Sequence, residues 1–282
     1  LQALKTGYVV SKRHTEQQQQ REELEVVVGS LALGLETQTQ TMNPRLLAPP
    51  PFSLGFAAGG SGAIPAFHAY GELTGDWDCF DKCAVRLCEQ LLSDDLSDHD
   101  PSFYGGLASP LFFLARYHEQ IKTPKCHDAI LRISNHLIDV AQPIEAGSAW
   151  VSAGSDGHMV TGLSWGSSGI ILSLLAAHNA LEEPRWLGAV LEGFEFERAQ
   201  KDVDCCRWFN VVEHQNQDFS HEALKDFEAV CHGAVGIGML RLFVLKHTLD
   251  ADWHQEIKQD LQDAIERSLL TADADWNGSK SK

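Results

Sequence analysis

The chain has 282 residues, 44% of them hydrophobic, and a formal net charge of −17. That length suits one large domain or two small ones with ample core material, and that charge argues against a nucleic-acid partner, which needs a basic face, and disfavours anionic membranes. No apolar run reaches the roughly 18 residues of a membrane span, LQALKTGYVVSKRH at the start lacks a signal-peptide core, and seven cysteines, an odd number in a chain too large to need stapling, suit a reducing cytoplasm.

Residues 1–14 show no clear period. Thr15-Glu16-Gln17-Gln18 resembles a capping box, and Leu24, Val27, Val28, Leu31 and Leu35 share one side of a helix predicted over 17–35. From Thr37 to Phe52 the chain turns to Thr, Gln, Asn and Pro, ending in Pro49-Pro50-Pro51, which reads as a linker and domain boundary.

After that boundary the chain repeats. Four segments, 54–70, 102–117, 161–178 and 229–247, each combine a glycine-containing lead-in, a small-x-x-small step and a strongly apolar helix. The step falls at Gly59/Gly62, Gly106/Ser109, Gly166/Gly169 and Gly233/Gly236. Each apolar helix precedes an amphipathic one, predicted over Cys79–Leu92, Lys125–Val140, Arg185–Arg198 and His254–Leu270. In the last of these, Ile257, Leu261, Ile265 and Leu269 mark the expected buried face. No β alternation competes. The pattern describes stacked helical hairpins in an inner and an outer layer, either an open solenoid or a closed α/α toroid. Glycines at the start of every inner helix favour the toroid, with helix N-termini converging at one end and favouring negative charge there.

In the fourth segment Cys231 and His232 stand side by side before Gly233. Two readings are open on these residues: a metal or thiolate site at a helix N-terminus, or a tight loop that happens to carry Cys. Cys79, Cys83 and Cys88 lie on an outer helix without a nearby His pair, and Cys205-Cys206 is poorly arranged for joint chelation. No HExxH, P-loop, Gly-x-Ser-x-Gly elbow or strand-borne GxGxxG is present.

Together, Gly55-Phe56-x-x-Gly59-x-x-Gly62, Gly71–Asp76, Thr161–Ile170, Phe196-Glu197-Arg198, and Cys231-His232-Gly233 with Gly236-Ile237-Gly238 and Arg241-Leu242 resemble the cyclase of class II lanthipeptide synthetases, the LanM family. The resemblance covers roughly residues 50–282. It implies an incomplete lanthionine synthetase C-like toroid of about four hairpins over residues 46–282. Residues 1–45 would be the tail of a preceding dehydratase-like domain plus linker.

The resemblance also implies chemistry. A zinc-bound Cys thiol of a dehydrated precursor peptide adds to dehydroalanine or dehydrobutyrine, giving lanthionine or methyllanthionine. Zinc lowers the pKa of a bound thiol, and the enolate that follows needs an acid. Cys231 matches the family's first zinc ligand, and His232 falls beside the metal, near the reacting thiol. The remaining ligands are expected beyond residue 282, because no second Cys-His-Gly occurs before the chain ends in TADADWNGSKSK. Trp165-Gly166 stands where the family usually has His-Gly, its main candidate for proton transfer, so impaired catalysis is an expectation too. Asp98, Asp100 and Ser102 lie near an acidic position of the family, and His158 lies several residues before the third helix. The alternatives are an inactive peptide-binding relative and another α/α-toroid enzyme, such as a glycoside-active one. The latter needs paired carboxylates that the inner-helix lead-ins do not supply.

Overall fold

A computed structural model describes residues 54–57, 59–121, 123–155, 158–202, 204, 206–208, 230–231, 233–247 and 253–278, with side chains as far as residue 270. The helix predicted over 17–35, the proline-rich boundary and His232 lie outside the described residues.

Eight α-helices among these residues form four consecutive hairpins: α1 (Ala63–Thr74) with α2 (Asp78–Ser93), α3 (Ala108–Arg116) with α4 (Pro124–Asp139), α5 (Ser167–Leu181) with α6 (Pro184–Ala199), and α7 (Ala234–His247) with α8 (His254–Gly278). Each first helix packs on its own second helix. Inner helix α3 also lies against α5 and α5 against α7, while outer helix α2 lies against α4 and α4 against α6. The chain is therefore all-α, an α/α toroid of repeated hairpins in two layers, as the repeat pattern predicts.

The layers follow from side-chain distribution. Helix α5 buries every residue from Ser167 to Ala177, so its first three turns have no wet face. Outer helix α4 buries Cys126, Ala129, Ile130, Ile133, Ser134 and Leu137, a single stripe at three- and four-residue spacing. Each fully buried Ile, Leu or Phe contributes about 1.5–3 kcal/mol over its exposed state. Pro124 and Pro184 open α4 and α6, where a missing N–H costs nothing. Gly75 closes α1 at φ 79°, its N–H bonded to the Gly71 carbonyl.

Two details correct the sequence reading. Short antiparallel hairpins follow two outer helices: β1 (Gln142–Ile144) with β2 (Gly147–Ala149), and β3 (Lys201–Asp202) with β4 (Arg207–Trp208). Strands of two or three residues are too short to show an alternation. Each hairpin places a buried tryptophan. Trp150 donates its indole N–H to the Leu137 carbonyl at 2.6 Å, and Trp208 packs on Ala234, Ile237 and Ala264.

The second correction concerns α8. Ile257 is buried, but Ile265 and Leu269 are exposed, and Asp260, Asp263 and Ala264 turn inward instead. The aspartates are accepted there because Arg198, Lys201 and Arg241 meet them. Paired charge overrode the apolar stripe.

Candidate functional site

Three of the small steps repeat one close approach. A Cβ at Gly62, Gly169 or Gly236 would overlap the carbonyl oxygen of Phe56, Leu163 or Val230, in each case the residue six positions earlier. The lead-in loop thus folds back onto the first turn of its own helix, and only glycine leaves room. Gly169 and Gly236 also face the Cβ atoms of Phe103 and Leu163 from the preceding repeat. In the second repeat Ser109 takes the glycine's place, and its hydroxyl shares a 2.9 Å hydrogen bond with that of Ser61.

These folded-back loops are joined by their backbones. The Ala57 N–H donates to the Tyr104 carbonyl at 3.2 Å, Tyr104 N–H to Ser164 at 2.8 Å, and Ser164 N–H to Cys231 at 3.2 Å. Residues 57, 104, 164 and 231 each stand five positions before 62, 109, 169 and 236. The four lead-ins form one continuous rim at the N-terminal ends of the inner helices, and Cys231 is its fourth station. The partial positive ends of those helices lie behind it.

Cys231 is half-buried, and like the other described cysteines it is a free thiol. Gly233, at φ 87°, turns the chain from Cys231 into α7. Trp165 stands four positions before Gly169, as His232 stands before Gly236. Its ring packs on that of Tyr104, with centroids 4.7 Å apart and planes 39° apart. Ser152 Oγ donates to the Trp165 carbonyl at 2.7 Å. The position where the resemblance expects a proton-transfer histidine therefore holds half of an aromatic pair. Sequence alone does not give that contact, which joins two repeats.

Zinc needs about four ligands, three of them from protein in a catalytic site. Among the described residues no group of three or more His, Cys, Asp or Glu could hold a metal ion. Cys231 is a single donor, and the described residues do not complete a zinc site.

The remaining candidates serve structure. Asp98 is exposed, whereas Asp100 is buried and accepts the Ser102 N–H at 2.8 Å and the Ala153 N–H, tying the second lead-in to the chain before the third. Ser102 is fully buried, its hydroxyl accepting the Gly105 N–H. His158 is buried in a turn that its backbone closes with Ser155. Burial pushes the Cys83 thiol up to about 12, which keeps it protonated and unreactive at neutral pH. Cys206 sits in the β3–β4 turn at φ 51°, and burial followed by the carboxylates of Asp263 and Glu266 raises its thiol as well.

A buried ion network holds the Cys231-bearing hairpin to its neighbour. Arg241, midway along apolar helix α7, is fully buried. Its Nη1 donates to Glu197 Oε2 at 2.5 Å and its Nε to Asp260 Oδ2 at 3.2 Å, and its guanidinium lies 4.5 Å over the Phe194 ring. Glu197 also accepts from Ser168 Oγ, and Asp260 from Arg198 Nε at 3.0 Å. The signal for this was legible: an arginine inside an apolar helix demands a buried acid.

Three comparisons bear on this architecture. The family model for lanthionine synthetase C-like protein matches residues 11–275. Seven solved chains match. One of them, nisin cyclase, aligns with a TM-score of 0.53 at 18% identity, over 76% of this chain and 58% of its own. The likeness is one of fold, and the present chain spans well under two thirds of that protein. A search of the curated proteins finds no match. No described helix is long and apolar enough to cross a membrane. With a toroid of glycine-entered hairpins, a cysteine on its rim and a family match running over nearly its whole length, the chain belongs to the lanthionine synthetase C-like protein family.

Proposed function

We propose that the chain acts in lanthipeptide biosynthesis, closing thioether rings in a dehydrated precursor peptide. A peptide cysteine thiolate adds to the β-carbon of dehydroalanine or dehydrobutyrine. The C–S bond forms as the C=C π pair moves onto the conjugated amide, and a proton taken up at the α-carbon gives lanthionine or methyllanthionine. The observation that carries this reading is the rim, where Cys231 lies on a hydrogen-bonded line of inner-helix lead-ins, in a chain whose family match spans residues 11–275. Cys231 is assigned as one zinc donor and His232 as a catalytic residue beside the metal, near the reacting thiol. Zinc's other ligands belong to residues outside those described.

The test uses a synthetic peptide with one cysteine and one dehydrobutyrine, incubated with the full chain and zinc. Ring closure leaves the mass unchanged, so it is read as loss of alkylatable thiol and confirmed by tandem mass spectrometry. The expected result is closure above the protein-free rate, abolished in Cys231→Ala. Closure no faster than without protein sinks the enzymatic reading. A second reading, peptide binding without turnover, is favoured by Trp165 and by the single donor thiol. It expects the peptide to bind with its thiol intact.

A further inference from the structure

The rim carries a feature that thioether formation alone does not require. Its lead-in loops, 54–62, 102–109, 161–169 and 230–236, contain no Asp, Glu, Lys or Arg, in a chain that is 22% charged with a net charge of −17. They expose apolar groups instead: Phe56 and Val230 are each 47% exposed and Tyr104 40%. Tyr104 and Trp165 pack at a tilt on the second and third lead-ins, and Ser164, next to Trp165, donates its backbone N–H to the Cys231 carbonyl. The buried hydroxyl of Ser152 fixes the Trp165 backbone. The pair is thus an uncharged aromatic contact between the second and third lead-ins, on the same rim as Cys231.

Such a contact has a definite chemical preference. Neither ring carries a charge, so a carboxylate or phosphate finds no ion pair with them, and the attraction for anions belongs to the helix N-termini behind the rim. A flat conjugated group with an electron-poor π face gains the most, because the ring faces carry negative quadrupole density. Dehydroalanine and dehydrobutyrine are such groups: their α- and β-carbons are trigonal and coplanar with the amide. A saturated residue has a tetrahedral α-carbon and cannot lie flat.

Resting on the cyclase reading above, we propose that Tyr104 and Trp165 form the specificity wall that receives the dehydrated residue of the peptide. The planar α,β-unsaturated amide lies against the indole, within reach of a thiol held at the Cys231 end of the rim. Trp165 at this position is then a binding residue for the acceptor.

The proposal is tested by calorimetric binding of two peptides to the full 282-residue chain. They are identical except for dehydrobutyrine in one and saturated 2-aminobutyrate in the other, and serine replaces cysteine in both so that no ring can form. The dehydrobutyrine peptide is expected to bind about three- to tenfold more tightly, the range for one aromatic contact. Trp165→Ala should erase that gap and Trp165→Phe should keep most of it. Equal affinities, failure of both peptides to bind, or an unchanged gap in Trp165→Ala overturns the proposal. If circular dichroism shows that Trp165→Ala does not fold, Tyr104→Leu takes its place, and an unchanged gap there is equally fatal. A gap without ring closure in the cysteine peptide keeps the wall and removes the cyclase reading. Ring closure without a gap does the reverse.

Discussion

Replacing Arg241 by methionine tests whether the fourth hairpin is held by its buried charge. Methionine fills similar volume in an apolar helix, so little packing is lost. What is lost is the 2.5 Å contact to Glu197, the 3.2 Å contact to Asp260 and the cation–π contact with the Phe194 ring. Asp260 keeps Arg198, but Glu197 is fully buried and, among the described residues, its carboxylate keeps only Ser168. An acid stranded in this way costs about 3–5 kcal/mol. With a urea m-value of about 3 kcal/mol/M, the unfolding midpoint should fall by roughly 1–2 M. The double variant Arg241→Met/Glu197→Gln removes the stranded charge and should recover more than half of that loss, measured as a coupling in a double-mutant cycle followed by circular dichroism. A single variant within about 1 kcal/mol of the parent, or a double variant as unstable as the sum of both singles, refutes the reasoning.

Further outcomes follow from named positions. Gly236→Ala drives a methyl into the Val230 carbonyl and Leu163 and should cost about 1–3 kcal/mol in thermal melts. Gly188→Ala, with nothing near its added methyl, should instead gain about 0.5–1 kcal/mol from helix propensity. The Cys83 thiol rises from its ordinary 9.0 to about 12 in the fold, so above pH 9 the unfolded chain loses that proton first. The stability it contributes is complete below pH 9 and lost towards pH 12, and Cys83→Ala should flatten the decline of melting temperature between pH 9 and 11. Met239 and Leu242 follow Gly236 at the spacing by which Leu172 and Leu175 follow Gly169, yet they are 51% and 57% exposed where the earlier pair is 8% and 0%. Leu175→Ala should cost about 2–5 kcal/mol. Met239→Gln and Leu242→Gln should stay within about 0.5 kcal/mol of the parent and lower the binding of an apolar dye.

The glycine steps made the inner helices legible, because a close approach of backbone to backbone permits few residues and so leaves the same mark in each repeat. Burial without a wet face was equally plain in the run from Ser167 to Ala177. The inward face of α8 was not, since Ile265 and Leu269 outweigh Asp260 and Asp263 in any apolar pattern until their cationic partners on α6, α7 and β3 are known. The site was half legible. Cys231 and Trp165 were singled out from the chain, but the Tyr104–Trp165 contact depends on two loops meeting across repeats, and no local period encodes that.

The line of hydrogen bonds through Ala57, Tyr104, Ser164 and Cys231 is made of main-chain atoms alone. It is indifferent to what each station carries, and the four stations do carry a methyl group, a phenol, a hydroxymethyl group and a thiol. Architecture and chemistry are thereby uncoupled at this ring of positions. A side chain there can be exchanged while the loops keep their spacing, whereas a proline at 104 or 164 removes a donor and parts two neighbouring loops. The rim works as a row of interchangeable sockets, and the reactivity of such a toroid can be rewritten one socket at a time without touching the helices beneath.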